Sequence, residues 1–294
     1  MRTQTLAVFS LVSSSLAQSF FPRQSSGGCP PVWSDVAKEL QSAFAGCGRD
    51  AHGAVRAPFH DCINNGCDGS LVLTDECGRA ENAGLSDICG KLKNWATKYD
   101  VSVADMIQFA GAIAISSCPL GPRVRALVGR KDGKDAAPVG SVPSSKDSVD
   151  KILSAFSAKG LSTDDVVALL GTHSIAVNVN DDPSQAGKGL DSTPGIYDMT
   201  FYKETAQGTA PYSLQSDKLF ANDTKTIKTW SSFAEDANAW NVVFTSAWDR
   251  FSVTGNDVAG LQDCSALIPQ SSTSVKRQAF NARFAQRMSA KFRS

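Results

Sequence analysis

The chain has 294 residues, and 42% of them are hydrophobic, which is enough to bury a core and excludes disorder as the dominant state. Its formal net charge of zero hides an acidic body, because residues 271–294 carry six basic side chains and no acidic one. Without that tail and Arg2, 22 basic residues stand against 29 acidic ones, a net charge of −7, which suits calcium binding and argues against nucleic acid as the main partner.

The N-terminus has the features of a secretory signal peptide. A short basic start precedes the apolar run LAVFSLVSSSLA, which contains small residues at the spacing that signal peptidase requires. We expect a signal peptide over residues 1–17, a flexible leader over 18–28 and one secreted domain over 29–270. No other apolar run approaches the roughly 20 residues that span a bilayer, so we expect no membrane span.

Eight cysteines follow the signal peptide, and an even count in an oxidising compartment predicts four disulfides. Eight cysteines allow about 105 pairings, so counting alone leaves the connectivity open. A zinc site is the alternative, but no pair has the CxxC spacing of a zinc knuckle. The sequon at Asn222 predicts glycosylation on the surface of a secreted protein.

Apolar residues recur at helical spacing along the body of the chain, whereas clean strand alternation is scarce. A helix N-terminus is indicated at Ser162 or Thr163, and Gly160 is a stop signal for the segment before it. We therefore predict a mainly α fold with long functional loops. The clearest helical segments are, in chain order, VWSDVAKELQSAF, DVSVADMIQFAGAIAI, SKDSVDKILSAFSAKG and STDDVVALLGTHSIAV.

The basic tail over residues 271–294 has two interpretations. Aromatic residues and a methionine recur every four positions among Arg and Lys, which would make a basic amphipathic helix for an acidic surface. The alternative is a flexible or proteolytically trimmed tail, since Lys276 and Arg277 form a dibasic cleavage site.

Only three histidines are present, and His60 follows Arg56 by four residues, so the two share one face of a helix. An imidazole beside a guanidinium can move a substrate proton while the Arg stabilises developing negative charge. Phe59 would add an apolar wall. The alternative for the pair alone is an exposed contact on a helix surface.

His173 falls on an apolar stripe with Val166, Leu169 and Leu170 in the segment DVVALLGTHS. A lone histidine on such a face is often a hydrogen-bonded core residue. A neutral imidazole presented from an apolar face is also what a haem iron needs as its axial ligand.

Each of these histidines is followed at once by an oxygen-bearing residue, and each begins a set of hard ligands of the kind Ca²⁺ prefers. Turn-capping side chains are the alternative for either set alone, but the repetition favours two calcium sites that fix the helix ends. The first set is Asp61, Asp68 and Ser70 with the carbonyls of Asn64 and Gly66. The second set is Ser174, Asp191, Thr193 and Asp198 with the carbonyl of Ile196.

From about Cys29 to Pro269 the chain resembles a secreted haem peroxidase of the plant, fungal and bacterial superfamily, in particular the fungal lignin, manganese and versatile peroxidases. The motifs RAPFHD, THSIA and DSTPGIYD match the distal, proximal and proximal calcium motifs of that family. The resemblance also implies that Asn82, in ENAGL, hydrogen-bonds the distal His60. It implies that Asp217, in LQSDKLFAND, binds the second nitrogen of His173.

The family resemblance implies a fold of about ten helices in two lobes around one buried haem b, with two Ca²⁺ ions, in a protein expected to be a monomer. It implies disulfide pairing as well. Two pairs are those of the fungal class, Cys29 with Cys264 and Cys47 with Cys118. The pair Cys62 with Cys67 is typical of the secreted plant class and leaves Cys77 with Cys89.

The chain departs from the specialised fungal enzymes at two sites. The three carboxylates that bind Mn²⁺ in manganese peroxidases correspond here to Arg49, Gly53 and Val179, none of which offers an oxygen anion. The exposed tryptophan of the lignin and versatile peroxidases corresponds to Ala168. We read the five tryptophans of this chain as core aromatics, and His52 as structural.

These features predict a secreted peroxidase that reduces hydrogen peroxide and oxidises small phenols or aromatic amines in one-electron steps. Three alternatives remain: a haem- and calcium-binding interaction protein with little turnover, a peroxidase that oxidises Mn²⁺ at a non-standard site, and a Ser/His/Asp hydrolase. The last lacks a GxSxG nucleophile turn.

Overall fold

The computed structural model describes residues 28–271, so the predicted signal peptide, nearly all of the leader and the basic tail beyond Ser271 lie outside the described residues. The prediction of a mainly α fold is confirmed, since this part of the chain has eleven α-helices and one two-stranded antiparallel sheet. The helices are α1 Val32–Ala43, α2 Arg49–Cys62, α3 Ser70–Leu73, α4 Ser86–Tyr99, α5 Val103–Ser117, α6 Val149–Ser157, α7 Thr163–Leu170, α8 Thr200–Gln207, α9 Gln215–Asn222, α10 Ile227–Glu235 and α11 Ala237–Phe251; the strands are β1 Leu127–Val128 and β2 Gln262–Asp263.

Two groups of helices form the two lobes. In the first, α5 is the central helix and packs against α2, α4 and α1. It is apolar on nearly every side and almost wholly buried, as expected for a helix surrounded by others. In the second group, α7 packs against α11, and α8, α9 and α10 pack on one another. None of the helices within residues 28–271 is long and apolar enough to cross a membrane.

Close packing fixes α2, the helix that carries the Arg56 and His60 pair. A Cβ atom at Gly111 of α5 would lie 2.7 Å from the ring of Pro58 and 3.1 Å from that of Trp248, so only glycine lets the two helices approach this closely. Pro58 stands two residues before His60. The contact therefore sets the position of the α2 segment that presents His60.

The segment that carries His173 differs from its prediction. Ser162 begins α7 with a capping box in which Asp165 completes the pair, as the sequence indicated. The α-helix ends at Leu170, however, and His173 lies on a 3₁₀ turn over Gly171–Ile175. A Cβ at position 171 would lie 2.4 Å from the indole nitrogen of Trp240, so the packing of that ring is compatible only with glycine where the helix tightens.

All eight cysteines are paired, and the pairs are those that the family resemblance predicted. Cys62–Cys67 closes the loop directly after α2, and Cys47–Cys118 ties the start of α2 to the end of α5. Both ends of the helix that carries His60 are therefore held covalently. The other two disulfides are Cys29–Cys264 and Cys77–Cys89.

Four of the five tryptophans lie in the core as predicted, whereas Trp95 is only partly buried. Asn222 is the exposed last residue of α9, and its glycosylation stays a prediction.

Candidate active site

A cavity of about 940 Å³ lies between α2 and the 3₁₀ turn after α7. Arg56, Phe59 and His60 line it from α2, and His173 lines it from the turn. Pockets for small ligands and cofactors measure roughly 300–1,000 Å³, so this cavity is large enough for a large cofactor. Much of its remaining wall is apolar and comes from α6, α7 and the end of α11.

Asn82 holds His60 in one orientation. Nδ1 of His60 lies 2.6 Å from Oδ1 of Asn82, and the amide nitrogen of Asn82 donates to the carbonyl of Glu76 at 2.8 Å. The second bond fixes the amide so that its oxygen faces the imidazole and accepts a hydrogen bond from Nδ1. His60 therefore carries its hydrogen on Nδ1, and Nε2 keeps a free lone pair.

The surroundings of His60 favour the neutral imidazole. The side chain is buried, with 2% of its surface exposed. Burial first and the charge of Arg56 second lower the pKa of His60 well below its usual 6.5, while the hydrogen bond to Asn82 acts in the opposite direction. Arg56 is anchored through Nη1, which donates to the carbonyl of Ala83 at 2.9 Å.

Phe59 makes the apolar wall beside His60. Its ring stacks on that of Phe156 from α6, with centroids 5.7 Å apart and planes 9° apart. The periodicity of α6 predicted that Phe156 lies on an apolar stripe, but it gave no sign that the stripe reaches this cavity. The sequence also did not predict the role of Glu76. This residue accepts the hydrogen bond of Asn82 with its backbone carbonyl, and any residue type could do the same.

Asp217 holds His173 in a similar way but with a charged partner. Nδ1 of His173 lies 3.1 Å from both carboxylate oxygens of Asp217, which is fully buried in the first turn of α9. The proton on Nδ1 points to the carboxylate, so Nε2 is free to act as a ligand. The side chain of His173 remains 26% exposed, and the residue lines the cavity.

The first predicted calcium set lies together in the loop after α2. Asp61 accepts the backbone amides of Gly69 and Leu71, at 3.1 and 3.3 Å, and burial raises its pKa to about 8. The hydroxyl of Ser70 is buried and has no hydrogen-bond partner. The carbonyl of Asn64 already accepts from Lys159, although a carbonyl has a second lone pair.

The second set is similarly compact. The hydroxyl of Thr193 lies 3.0 Å from the carboxylate of Asp198, and its backbone amide donates to Asp191 at 2.8 Å. Oδ2 of Asp191 and the hydroxyl of Ser174 are buried without partners, and burial raises the pKa of Asp191 to about 8. The carbonyl of Ile196 accepts the amide of Asp198 at 2.9 Å.

Unpartnered buried oxygens in both sets fit the predicted cations. Within residues 28–271, however, no three His, Cys, Asp or Glu side chains lie close enough to hold a metal ion. Each site would therefore depend on hydroxyl and carbonyl oxygens as well as on its two carboxylates, a mixture that Ca²⁺ accepts.

The positions of the specialised fungal sites contain no equivalent chemistry. Arg49 pairs with Asp87 at 3.0 Å, and Gly53 packs against Ile88. Ala168 is fully buried, and its carbonyl accepts the indole N–H of Trp240 at 3.0 Å. A larger side chain at this position would start from a fully buried Cα and not from the surface.

Known proteins resemble this chain over most of its length. The peroxidase family model matches residues 36–236. The chain is 34% identical to versatile peroxidase VPS1 of Pleurotus eryngii, over 86% of this chain and 77% of that protein. It is 37% identical to a low-redox potential peroxidase of Taiwanofungus camphoratus, over 81% and 77%, and 33% identical to ligninase H2 of Phanerodontia chrysosporium, over 81% and 73%. The chain belongs to the peroxidase family.

Proposed function

We propose that this peroxidase reduces hydrogen peroxide and oxidises small phenols or aromatic amines in one-electron steps, with one haem b between His60 and His173. One observation carries the proposal: two imidazoles line the same cavity, and each has its Nδ1 engaged, which leaves both Nε2 atoms for chemistry. Bound haem supplies an iron that takes up peroxide and holds its oxidising equivalents for the donor.

His60 is the proton carrier in this proposal. Its Nε2 would take the proton from one oxygen of peroxide and give it to the other oxygen, which would leave as water. Asn82 keeps the hydrogen of the resting imidazole on Nδ1 and so keeps Nε2 ready. Arg56, one turn earlier on α2, stabilises negative charge on the leaving oxygen.

His173 would hold the haem iron through Nε2. The carboxylate of Asp217 orients the ring and raises the electron density that the imidazole donates. Phe59 and the stacked Phe156 keep water from the same cavity and face the cofactor.

Two Ca²⁺ ions complete the proposed site, one behind each histidine. The unpartnered hydroxyls of Ser70 and Ser174 support this assignment. The first ion takes Asp61, Asp68, Ser70 and the carbonyls of Asn64 and Gly66. The second takes Ser174, Asp191, Thr193, Asp198 and the carbonyl of Ile196.

We further propose that the protein is secreted as a monomer with a single domain over residues 29–270, after removal of the signal peptide. Four disulfides among eight cysteines support folding in an oxidising compartment. The lack of a carboxylate at Arg49, Gly53 and Val179 favours aromatic donors over Mn²⁺.

The test is to load the purified protein with haem and to add hydrogen peroxide. We expect a shifted Soret band that returns on addition of guaiacol, oxidation of phenols without oxidation of Mn²⁺, and two Ca²⁺ ions per chain by elemental analysis. A Soret band that does not respond to peroxide would refute the activity. Protein without bound calcium would refute the calcium sites alone.

A further inference from the structure

An acidic side chain at the edge of the cavity joins three loops. Asp181 accepts hydrogen bonds from the hydroxyls of Ser145 and Tyr212, one with each carboxylate oxygen. Asp181, Ser145 and Ser216 line the cavity, and the amide of Ser216 donates to the carbonyl of Ser145 at 2.8 Å. Tyr212 is not part of the cavity wall, but its hydroxyl contacts that wall through Asp181.

Tyr212 also reaches the protein surface, because its side chain is only partly buried. Burial and the neighbouring Asp181 and Asp182 raise its pKa to about 12, so the phenol keeps its proton at every working pH. A neutral phenol gives up an electron readily only when a base accepts its proton at the same time. The carboxylate of Asp181 is already hydrogen-bonded to that proton.

We propose that Tyr212 is a surface electron-transfer residue that serves phenolic donors too large to enter the cavity, such as phenol groups on a polymer. This inference rests on the peroxidase function proposed above. Tyr212 loses an electron to the peroxide-oxidised haem while its O–H bond breaks and the proton passes to Asp181. A phenol at the surface then returns one electron to Tyr212, Asp181 returns the proton, and the donor releases its own proton to solvent and becomes a phenoxyl radical.

The other tyrosines lack this combination, and all four lie within the described residues. Tyr197 and Tyr202 are buried, with 2% and 0% of their surfaces exposed. Tyr99 donates to Glu39 and is partly exposed, but neither residue lines the cavity. Tyr99 is therefore a matched control: a partly exposed tyrosine bonded to a carboxylate but without contact to the cavity wall.

Electron paramagnetic resonance provides a test that does not depend on turnover. Haem-loaded protein is mixed with hydrogen peroxide without a donor and frozen. We expect a tyrosyl radical in the parent and in Tyr99→Phe, and its loss in Tyr212→Phe. Asp181→Asn keeps the tyrosine but removes the proton acceptor, so its radical signal should be smaller than that of the parent.

Steady-state rates with two donors provide the second readout. With a water-soluble lignosulfonate, Tyr212→Phe should lose about tenfold in kcat/KM, whereas Tyr99→Phe should match the parent. Guaiacol, a small phenol, should be oxidised equally by the parent, Tyr212→Phe and Tyr99→Phe. If Tyr212→Phe keeps both the radical and the lignosulfonate rate while guaiacol is oxidised, this inference is wrong and the proposed function stands. If the parent does not oxidise guaiacol, both are overturned.

Discussion

The two sides of the cavity each present a histidine, and they differ in what holds the second nitrogen. His60 donates a hydrogen bond from Nδ1 to the neutral amide oxygen of Asn82, whereas His173 donates one from Nδ1 to the carboxylate of Asp217. A neutral partner fixes the tautomer without adding charge, which suits a base that must stay unprotonated. A carboxylate adds electron density, which suits a metal ligand. In the proposed function, one residue type thus serves two roles through its hydrogen-bond partner.

The two histidines also differ in their local backbone and in their burial. His60 is on a regular α-helix and is 2% exposed, whereas His173 is on a 3₁₀ turn and its side chain is 26% exposed. Each is followed by a proposed calcium ligand, Asp61 or Ser174. The two histidines therefore differ in their hydrogen-bond partners and in their local backbone, and not in being followed by a proposed calcium ligand.

The largest effect is expected when the ligand itself is removed. His173→Ala should fail to retain haem, because no other side chain on that turn offers a nitrogen to the iron. Haem content after gel filtration measures this, and added imidazole should restore part of the binding. His52→Ala removes another histidine that lines the cavity and should bind haem normally. Equal haem retention by both variants would contradict the assignment of the axial ligand.

The carboxylate behind the ligand should matter less than the ligand. Asp217→Asn keeps the shape but removes the charge, so we expect activity to fall by about 10- to 100-fold, as for other partners of metal-bound histidines. The reduction potential of the iron should rise, since a neutral partner weakens the imidazole as an electron donor. A potential equal to that of the parent would show that the charge of Asp217 does not act on the iron.

Replacing the neutral partner of His60 by a carboxylate should change the pH dependence of the reaction with peroxide. Protonated His60 cannot accept the proton of peroxide, so the rate with peroxide falls as pH falls through its pKa. Because burial and Arg56 hold that pKa well below 6.5, the parent should show a level rate at pH 6.5 and above and an acid limb well below it. Asn82→Asp places a negative charge beside the imidazolium, raises the pKa and moves the acid limb upward.

The pH profile of the rate constant with peroxide, measured by stopped flow in both proteins, decides this point. A parent midpoint at or above 6.5 would contradict the buried neutral base. An acid limb that does not move in Asn82→Asp would show that the partner of Nδ1 does not control the proton on His60.

The smallest effects are expected at the calcium ligands, since each hydroxyl is one ligand among several. Ser70→Ala should loosen the ion behind His60, and Ser174→Ala should loosen the ion behind His173. Bound calcium after mild chelation and the rate of haem release measure both. We expect faster haem release in Ser174→Ala than in Ser70→Ala. Full calcium retention in both variants would exclude these hydroxyls as ligands.

Local patterns predicted much of the site. The spacing of Arg56 and His60 placed both on one helix face, and a family motif pointed to Asn82 as the partner of His60. The pattern through His173 predicted a continuous α-helix, but the chain continues from Gly171 as a 3₁₀ turn, at a point where the ring of Trp240 packs too closely for any Cβ.

Other contacts had no local signal. The bond that orients Asn82 ends on a backbone carbonyl, which no residue type reveals. Asp181 and Tyr212 stand 31 residues apart in the chain, without a motif that joins them. Such pairs depend on how loops pack around the cavity, and only the folded structure brings them together.

The most direct test of the division between the two histidines is the rate of the first reaction with peroxide in His60→Gln, with His52→Gln as the matched control on the same helix. Both variants should bind haem as the parent does. We expect the bimolecular rate constant to fall by about 10²–10⁴-fold in His60→Gln and to stay unchanged in His52→Gln, because only the former removes the base. A rate constant in His60→Gln equal to that of the parent would contradict the account.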